Sequence, residues 1–117
     1  MSGINYYPSR NQKSAQRVIQ TDANIAVTAA NMGSLFSCFS ASIKYITLSE
    51  AEDNKIPVGA QVDFLRLNSN VQFSAPSGSI VYESSAGETP QLRVYGSACT
   101  FIKLDQAQWA IIGDITT

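Results

Sequence analysis

A chain of 117 residues is the size of one domain, and its eight basic and nine acidic residues, net charge −1, exclude the dense basic stripe of a nucleic-acid binder. Apolar residues make up 44% and charged residues only 15%, against the roughly 25% charged usual for a soluble domain. Ser, Thr, Asn and Gln fill the gap, a composition suited to neutral β-surfaces that meet other protein.

Residues 1–16 read as an N-terminal arm and residues 17–117 as a single β domain. The arm holds Tyr6-Tyr7-Pro8 among Ser, Asn, Gln and Arg. Pro8 pushes Tyr7 toward an extended conformation and blocks a helix there. So short and polar a segment cannot bury two tyrosines alone, so Tyr6, Tyr7 and Pro8 are expected against a neighbouring subunit. Arg10, Lys13 and Arg17 form a basic cluster that a solvated face explains. Met1 to Arg17 lacks the apolar core of a signal peptide, and no run reaches the roughly 18–20 apolar residues of a membrane span. The expectation is therefore a chain made and folded in a reducing cytoplasm, with no membrane association. Cys38 and Cys99, alone in apolar surroundings, are expected as buried thiols rather than a bridge.

Arg17 to Gln20 and Asn24 to Thr28 alternate apolar and polar residues around Thr21-Asp22-Ala23, predicting a pair of short strands. A loop from Ala29 to Ser34 leads to apolar Leu35 to Phe39. A clear strand follows from Ser42 to Leu48, with Ile43, Tyr45 and Thr47 on one face and Lys44, Ile46 and Leu48 on the other. Ser49-Glu50-Ala51-Glu52 has the form of a capping box and predicts one helical turn. The acidic group around it, Glu50, Glu52, Asp53 and Asn54, lacks the spacing of a calcium loop and reads as a solvated turn.

From Pro57 to Ile115 short apolar runs repeat: Val62 to Leu67, Val71 to Ala75, Ser79 to Tyr82, Leu92 to Tyr95, Cys99 to Leu104 and Trp109 to Ile112. Turn-prone pieces separate them. The pattern predicts an all-β fold, a compact antiparallel β-sandwich or barrel-like module with an extended N-terminal arm. Alternation is imperfect: Leu65, Ile102 and Ile112 are apolar on the face opposite Phe64, Phe101 and Ile111. Strands that read as apolar on both faces are covered twice, and in so short a chain part of that cover is expected from other subunits. Trp109 brings a large apolar surface and one N–H in need of a partner. It reads as a core or interface anchor rather than a sugar platform, and Trp109 and Ile111 are counted with the arm as interface residues.

Histidine, the commonest general base, is missing from the sequence, and no nucleophile elbow, P-loop or zinc-protease motif occurs. Asp63, Glu83, Glu88, Asp105 and Asp114 are the carboxylates open to acid–base work, and no spacing among them implies one site. The expectation is no enzyme, no catalytic residue, no cofactor and no metal.

Ile46-Thr47-Leu48, Ile56-Pro57-Val58-Gly59-Ala60-Gln61-Val62-Asp63-Phe64, Ala98-Cys99-Thr100-Phe101-Ile102-Lys103-Leu104 and Trp109-Ala110-Ile111-Ile112-Gly113-Asp114-Ile115 follow one another in an order that resembles a β-module of tailed-phage virion proteins. That module is often a terminal domain of fibres or other surface appendages. The resemblance covers roughly residues 42–115, and Asn68-Ser69-Asn70 stands where the family usually has a G-x-G turn. It implies a virion structural protein and transfers no catalytic residue; the two apolar strand faces and the low charge add the expectation of a homotrimer, in contact with the major capsid protein or another virion protein. With only some 40 residues ahead of the block and no shaft of repeats, a small capsid decoration (cement) protein is the leading expectation. The alternative is a short tail-fibre or appendage tip that binds a host receptor or glycan, with Tyr45, Tyr82, Tyr95 and the Glu83–Pro90 loop outward.

Overall fold

The computed structural model describes residues 15–68, 70–74, 80–86 and 89–117. The expectations placed on the arm, Tyr6, Tyr7 and Pro8 included, lie outside the described residues.

In chain order the strands are β1 (Arg17–Thr21), β2 (Ile25–Ala26), β3 (Ser34–Cys38), β4 (Lys44–Thr47), β5 (Gln61–Arg66) and β6 (Val71–Ser74). They continue with β7 (Val81–Ser84), β8 (Gln91–Leu92), β9 (Ala98–Asp105), β10 (Gln108–Gly113) and β11 (Ile115–Thr116). One sheet has the order β1-β3-β5-β9-β10-β7 and the other β11-β8-β6-β4-β2. The two pack face to face, so the all-β sandwich expected from the sequence is the fold.

The first six strands alternate between the sheets, so the chain winds as a flattened coil and each strand lies parallel to the one laid down a turn earlier. Val18 pairs with Leu35 and Leu35 with Asp63, while Ile25 pairs with Ile46 and Ile46 with Phe73. The sheets are therefore mixed rather than antiparallel throughout. The antiparallel ladders are those of β9 with β5 and β10, and of β8 with β6 and β11. The expected pair near residue 20 is present as two strands, β1 and β2, that lie in different sheets.

Inward positions recur every second residue. Phe36, Val62, Phe64, Cys99, Phe101, Trp109 and Ile111 from the first sheet meet Ile25, Ile46, Val71, Phe73 and Leu92 from the second. Phe64 meets Phe73 edge-on at 5.5 Å across the sandwich, and Phe101 stacks on Trp109 at 4.5 Å. Such contacts add to the burial that dominates folding.

Two glycines are needed where they stand. Gly59, with φ +91°, closes the turn in which Ala60 N–H donates to the Pro57 carbonyl at 3.2 Å. At Gly113 a Cβ would lie 2.4 Å from the Ala98 carbonyl oxygen and 2.7 Å from Cys99 Cα. Only glycine permits β10 to run that close to β9.

The helical turn α1 (Glu50–Asp53) forms as expected, with Glu52 N–H donating to Ser49 Oγ at 3.2 Å. Its last residue corrects the reading of a solvated acidic turn: Asp53 is fully buried. Its Oδ1 accepts from Trp109 Nε1 at 2.7 Å and its Oδ2 from Ala107 N–H at 2.8 Å. Lys103 Nζ sits 3.4 Å from the same carboxylate and donates to the carbonyls of Asp53 and Ile56, each at 2.7 Å. The Asp53 carboxylate thus ties the linker ahead of β5 to the β9–β10 hairpin and supplies the partner that the Trp109 N–H needs. It also holds Ala107, whose φ of +58° is unusual for a residue with a Cβ.

Candidate interaction surface

A pleated strand that buries one face must present the other. On the six-stranded sheet the outward positions in pairing order are Val18 and Gln20 on β1, Leu35 and Ser37 on β3, and Gln61, Asp63 and Leu65 on β5. They continue with Ala98, Thr100, Ile102 and Leu104 on β9, Ala110 and Ile112 on β10, and Val81 and Glu83 on β7. Ile112 is 61% exposed and Val18 57%. Leu104 and Val81 are also exposed, and Leu35, Leu65 and Ile102 are half-buried. Six strands at about 4.8 Å spacing make this face about 24 Å broad.

Near its middle lies a shallow groove of about 350 Å³. Leu35, Ala98 and Ile112 give it apolar walls, and Asp63 and Thr100 its polar floor. Thr100 Oγ1 donates to Asp63 Oδ1 at 2.7 Å. Gln16, just ahead of β1, reaches over Leu35 and donates from Nε2 to Asp63 Oδ2 at 2.7 Å. The chain thus enters its first strand at the groove. The groove's chemistry is that of an apolar seat with one carboxylate, suited to an aromatic or aliphatic group that carries a donor.

The remaining carboxylates are scattered. Glu83 shares the outer face but stands three strands from Asp63 in the pairing order, about 14 Å at ordinary strand spacing. That exceeds the separation at which two carboxylates flank one bond. Asp105 ends β9 at its turn into β10, where its Oδ1 accepts from Gln106 N–H at 2.7 Å. Asp114 is held by Arg93 Nε at 2.7 Å and by the Ser97 hydroxyl at 2.7 Å. The Arg93 hydrogen bond, then that of Ser97, keeps its carboxyl below the usual range. Glu88 lies outside the described residues.

The outer face of the five-stranded sheet has a different character. Tyr45, Gln72, Gln91 and Thr116 stand side by side in register across β4, β6, β8 and β11. Gln72 Nε2 donates to Gln91 Oε1 at 3.1 Å, and Asn70 Nδ2 donates to the same oxygen. Tyr45 and Tyr95 are exposed. Tyr82 is not outward: its ring meets Phe101 edge-on at 5.3 Å and its hydroxyl donates to the Ser74 carbonyl at 3.1 Å. Burial there pushes the phenol well above its ordinary value.

Of the five residues assigned to an interface from sequence, Trp109 and Ile111 are placed in the chain's own core, fully or almost fully buried. Period-two alternation turns both inward and leaves Ala110 and Ile112 as the outward residues of β10. The outward apolar positions of the β block, Leu65, Ile102 and Ile112, stand where alternation put them. The Asp53–Lys103 pair was missed. Its signal was Lys103, in phase with the inward Cys99 and Phe101; nothing near Asp53 itself announced burial. Both cysteines are free and buried. Desolvation pushes the Cys38 thiol up to about 11. Cys99 is raised further, by desolvation first and then by the nearby Asp63 and Cys38.

Among the described residues no three His, Cys, Asp or Glu side chains gather where a metal could be held, and no helix is long and apolar enough to cross a membrane. Compared with known proteins, the chain matches no family model and no curated protein.

Proposed function

We propose that this chain is a structural protein of a tailed-phage virion, a small capsid decoration protein that assembles as a homotrimer and clamps neighbouring shell subunits. The observation that carries the reading is the outer face of the six-stranded sheet, about 24 Å broad, rich in exposed aliphatic residues and bearing only Asp63 and Glu83 as charges among its described residues. Broad exposed apolar patches mark interaction sites, and a stable interface removes about 800 Å² from each partner. Burial contributes on the order of 25 cal/mol per Å² before the costs of association are met. The order of motifs from Ile46 to Ile115, similar to that of virion β-modules, supports the setting.

A second reading, an appendage tip that binds a glycan, is favoured by the row of Tyr45, Gln72, Gln91 and Thr116 on the opposite sheet. A ring beside neutral amides suits an uncharged polyhydroxyl ligand. Copy number in purified particles, by quantitative mass spectrometry, tests both readings. Hundreds of copies per particle are expected for decoration, and a few to a few dozen would favour the appendage. Absence from the particle would overturn both.

A further inference from the structure

We propose that the groove over Asp63 is the seat for residues 1–14 of a second copy of this chain, with Tyr6-Tyr7-Pro8 against Leu35, Ala98 and Ile112. The inference rests on the reading of that face as an assembly surface and names the segment that occupies it.

Three observations converge. The first is charge. Residues 1–14 hold Arg10 and Lys13 and no acid, while the described outer face holds Asp63 and Glu83 and no base. A second copy's sheet face laid on this one would bring acid to acid; the arm brings base to acid. The second is chemistry. The groove offers aliphatic walls and a carboxylate that accepts one bond at each oxygen, from Gln16 and Thr100. Each carboxylate oxygen has capacity for a second. A tyrosine seated on Leu35 and Ile112 would donate its hydroxyl there.

The third is reach. The chain enters β1 at the groove, where Gln16 is bonded to Asp63. Tyr7 lies nine residues earlier, and nine extended residues span roughly 30 Å. That exceeds the sheet's breadth of about 24 Å. An arm that ran extended, as Pro8 favours at Tyr7, would therefore be long enough to carry the tyrosines past the chain's own edge to a neighbour's face. Exchange of arms among copies would join them without requiring their sheet faces to touch.

The test uses full-length chains in solution. Tyr7→Cys and Ile112→Cys variants are mixed and oxidised, and the double variant is oxidised alone at high dilution. The expected result is a disulfide between the two different chains of the mixture. Asp63→Lys on the Ile112→Cys chain should lower its yield tenfold or more. Because Asp63→Lys also removes the acceptor of Gln16 and Thr100, Arg10→Glu with Lys13→Glu on the Tyr7→Cys chain, which changes no residue of the sandwich, should lower the yield likewise. A bond formed only within the double variant would overturn the proposal in favour of a strap onto the chain's own face. Absence of any bond would overturn it too. Neither result depends on copy number in particles, so the virion reading stands or falls separately.

Discussion

Replacing Asp53 by alanine should destabilise the sandwich severely. Its carboxylate is fully buried and bonded to Trp109 Nε1 and Ala107 N–H, with Lys103 Nζ at 3.4 Å. Truncation strands the ammonium of Lys103, a residue only 5% exposed, with two backbone carbonyls and no counter-charge. Breaking one side of a buried ion pair costs about 3–5 kcal/mol, and each orphaned donor costs in the same direction. Set against a total stability of roughly 5–15 kcal/mol, the loss is a large fraction. At about 4 °C per kcal/mol for a domain of this size, the thermal midpoint should fall by about 12–20 °C. The single tryptophan is itself in the cluster, so urea unfolding followed by its fluorescence reads the site directly. Lys103→Met and the double variant complete a cycle, and the double variant should lose less than the two single losses added together. A loss below about 1 kcal/mol for Asp53→Ala would refute the reasoning.

Gly113→Ala should cost on the order of 2–4 kcal/mol, because its Cβ would meet the Ala98 carbonyl at 2.4 Å; an unchanged urea midpoint would contradict that close approach. Cys38 and Cys99 should resist alkylation at pH 8 in the folded protein and react in denaturant, since burial raises both thiols, Cys38 to about 11. Rapid labelling without denaturant would count against it. Asp114, whose folded carboxyl lies below its ordinary value through Arg93 and Ser97, contributes stability above the unfolded value of about 3.9. That contribution should fade as pH falls through the lower folded value. Asp114→Asn should therefore differ from the parent at neutral pH and converge on it in acid; a gap that widens in acid would have the sign wrong.

Much of the fold was legible because alternation is local. Val62 with Phe64, Cys99 with Phe101 and Trp109 with Ile111 share a face as their spacing required, and all turn inward, Trp109 and Ile111 against the expectation of an interface. The pairing of strands was not. A turn such as Thr21-Asp22-Ala23 has the same residues whether it folds a strand back on its neighbour or carries it to the opposite sheet. The coil of parallel strands from β1 to β6 depends on that second choice, which only packing settles. The candidate surface was half legible. Leu65, Ile102 and Ile112 announced a second apolar face, but the groove requires Gln16 to meet Asp63 across 47 positions, a contact that no local pattern encodes. Trp109 could be recognised as an anchor, yet its partner Asp53 lies 56 positions away in a turn that looks solvated.

The central claim, that the outer face of the six-stranded sheet is where copies of this chain assemble, is tested most directly by equilibrium sedimentation of the parent beside Ile112→Lys. Ile112 is 61% exposed at the groove wall, so a lysine there should leave the fold and its thermal midpoint unchanged while charging the contact surface. The account predicts a trimer or larger assembly for the parent at micromolar concentration and a folded monomer for the variant. Two monomers, or two identical assemblies, would contradict it.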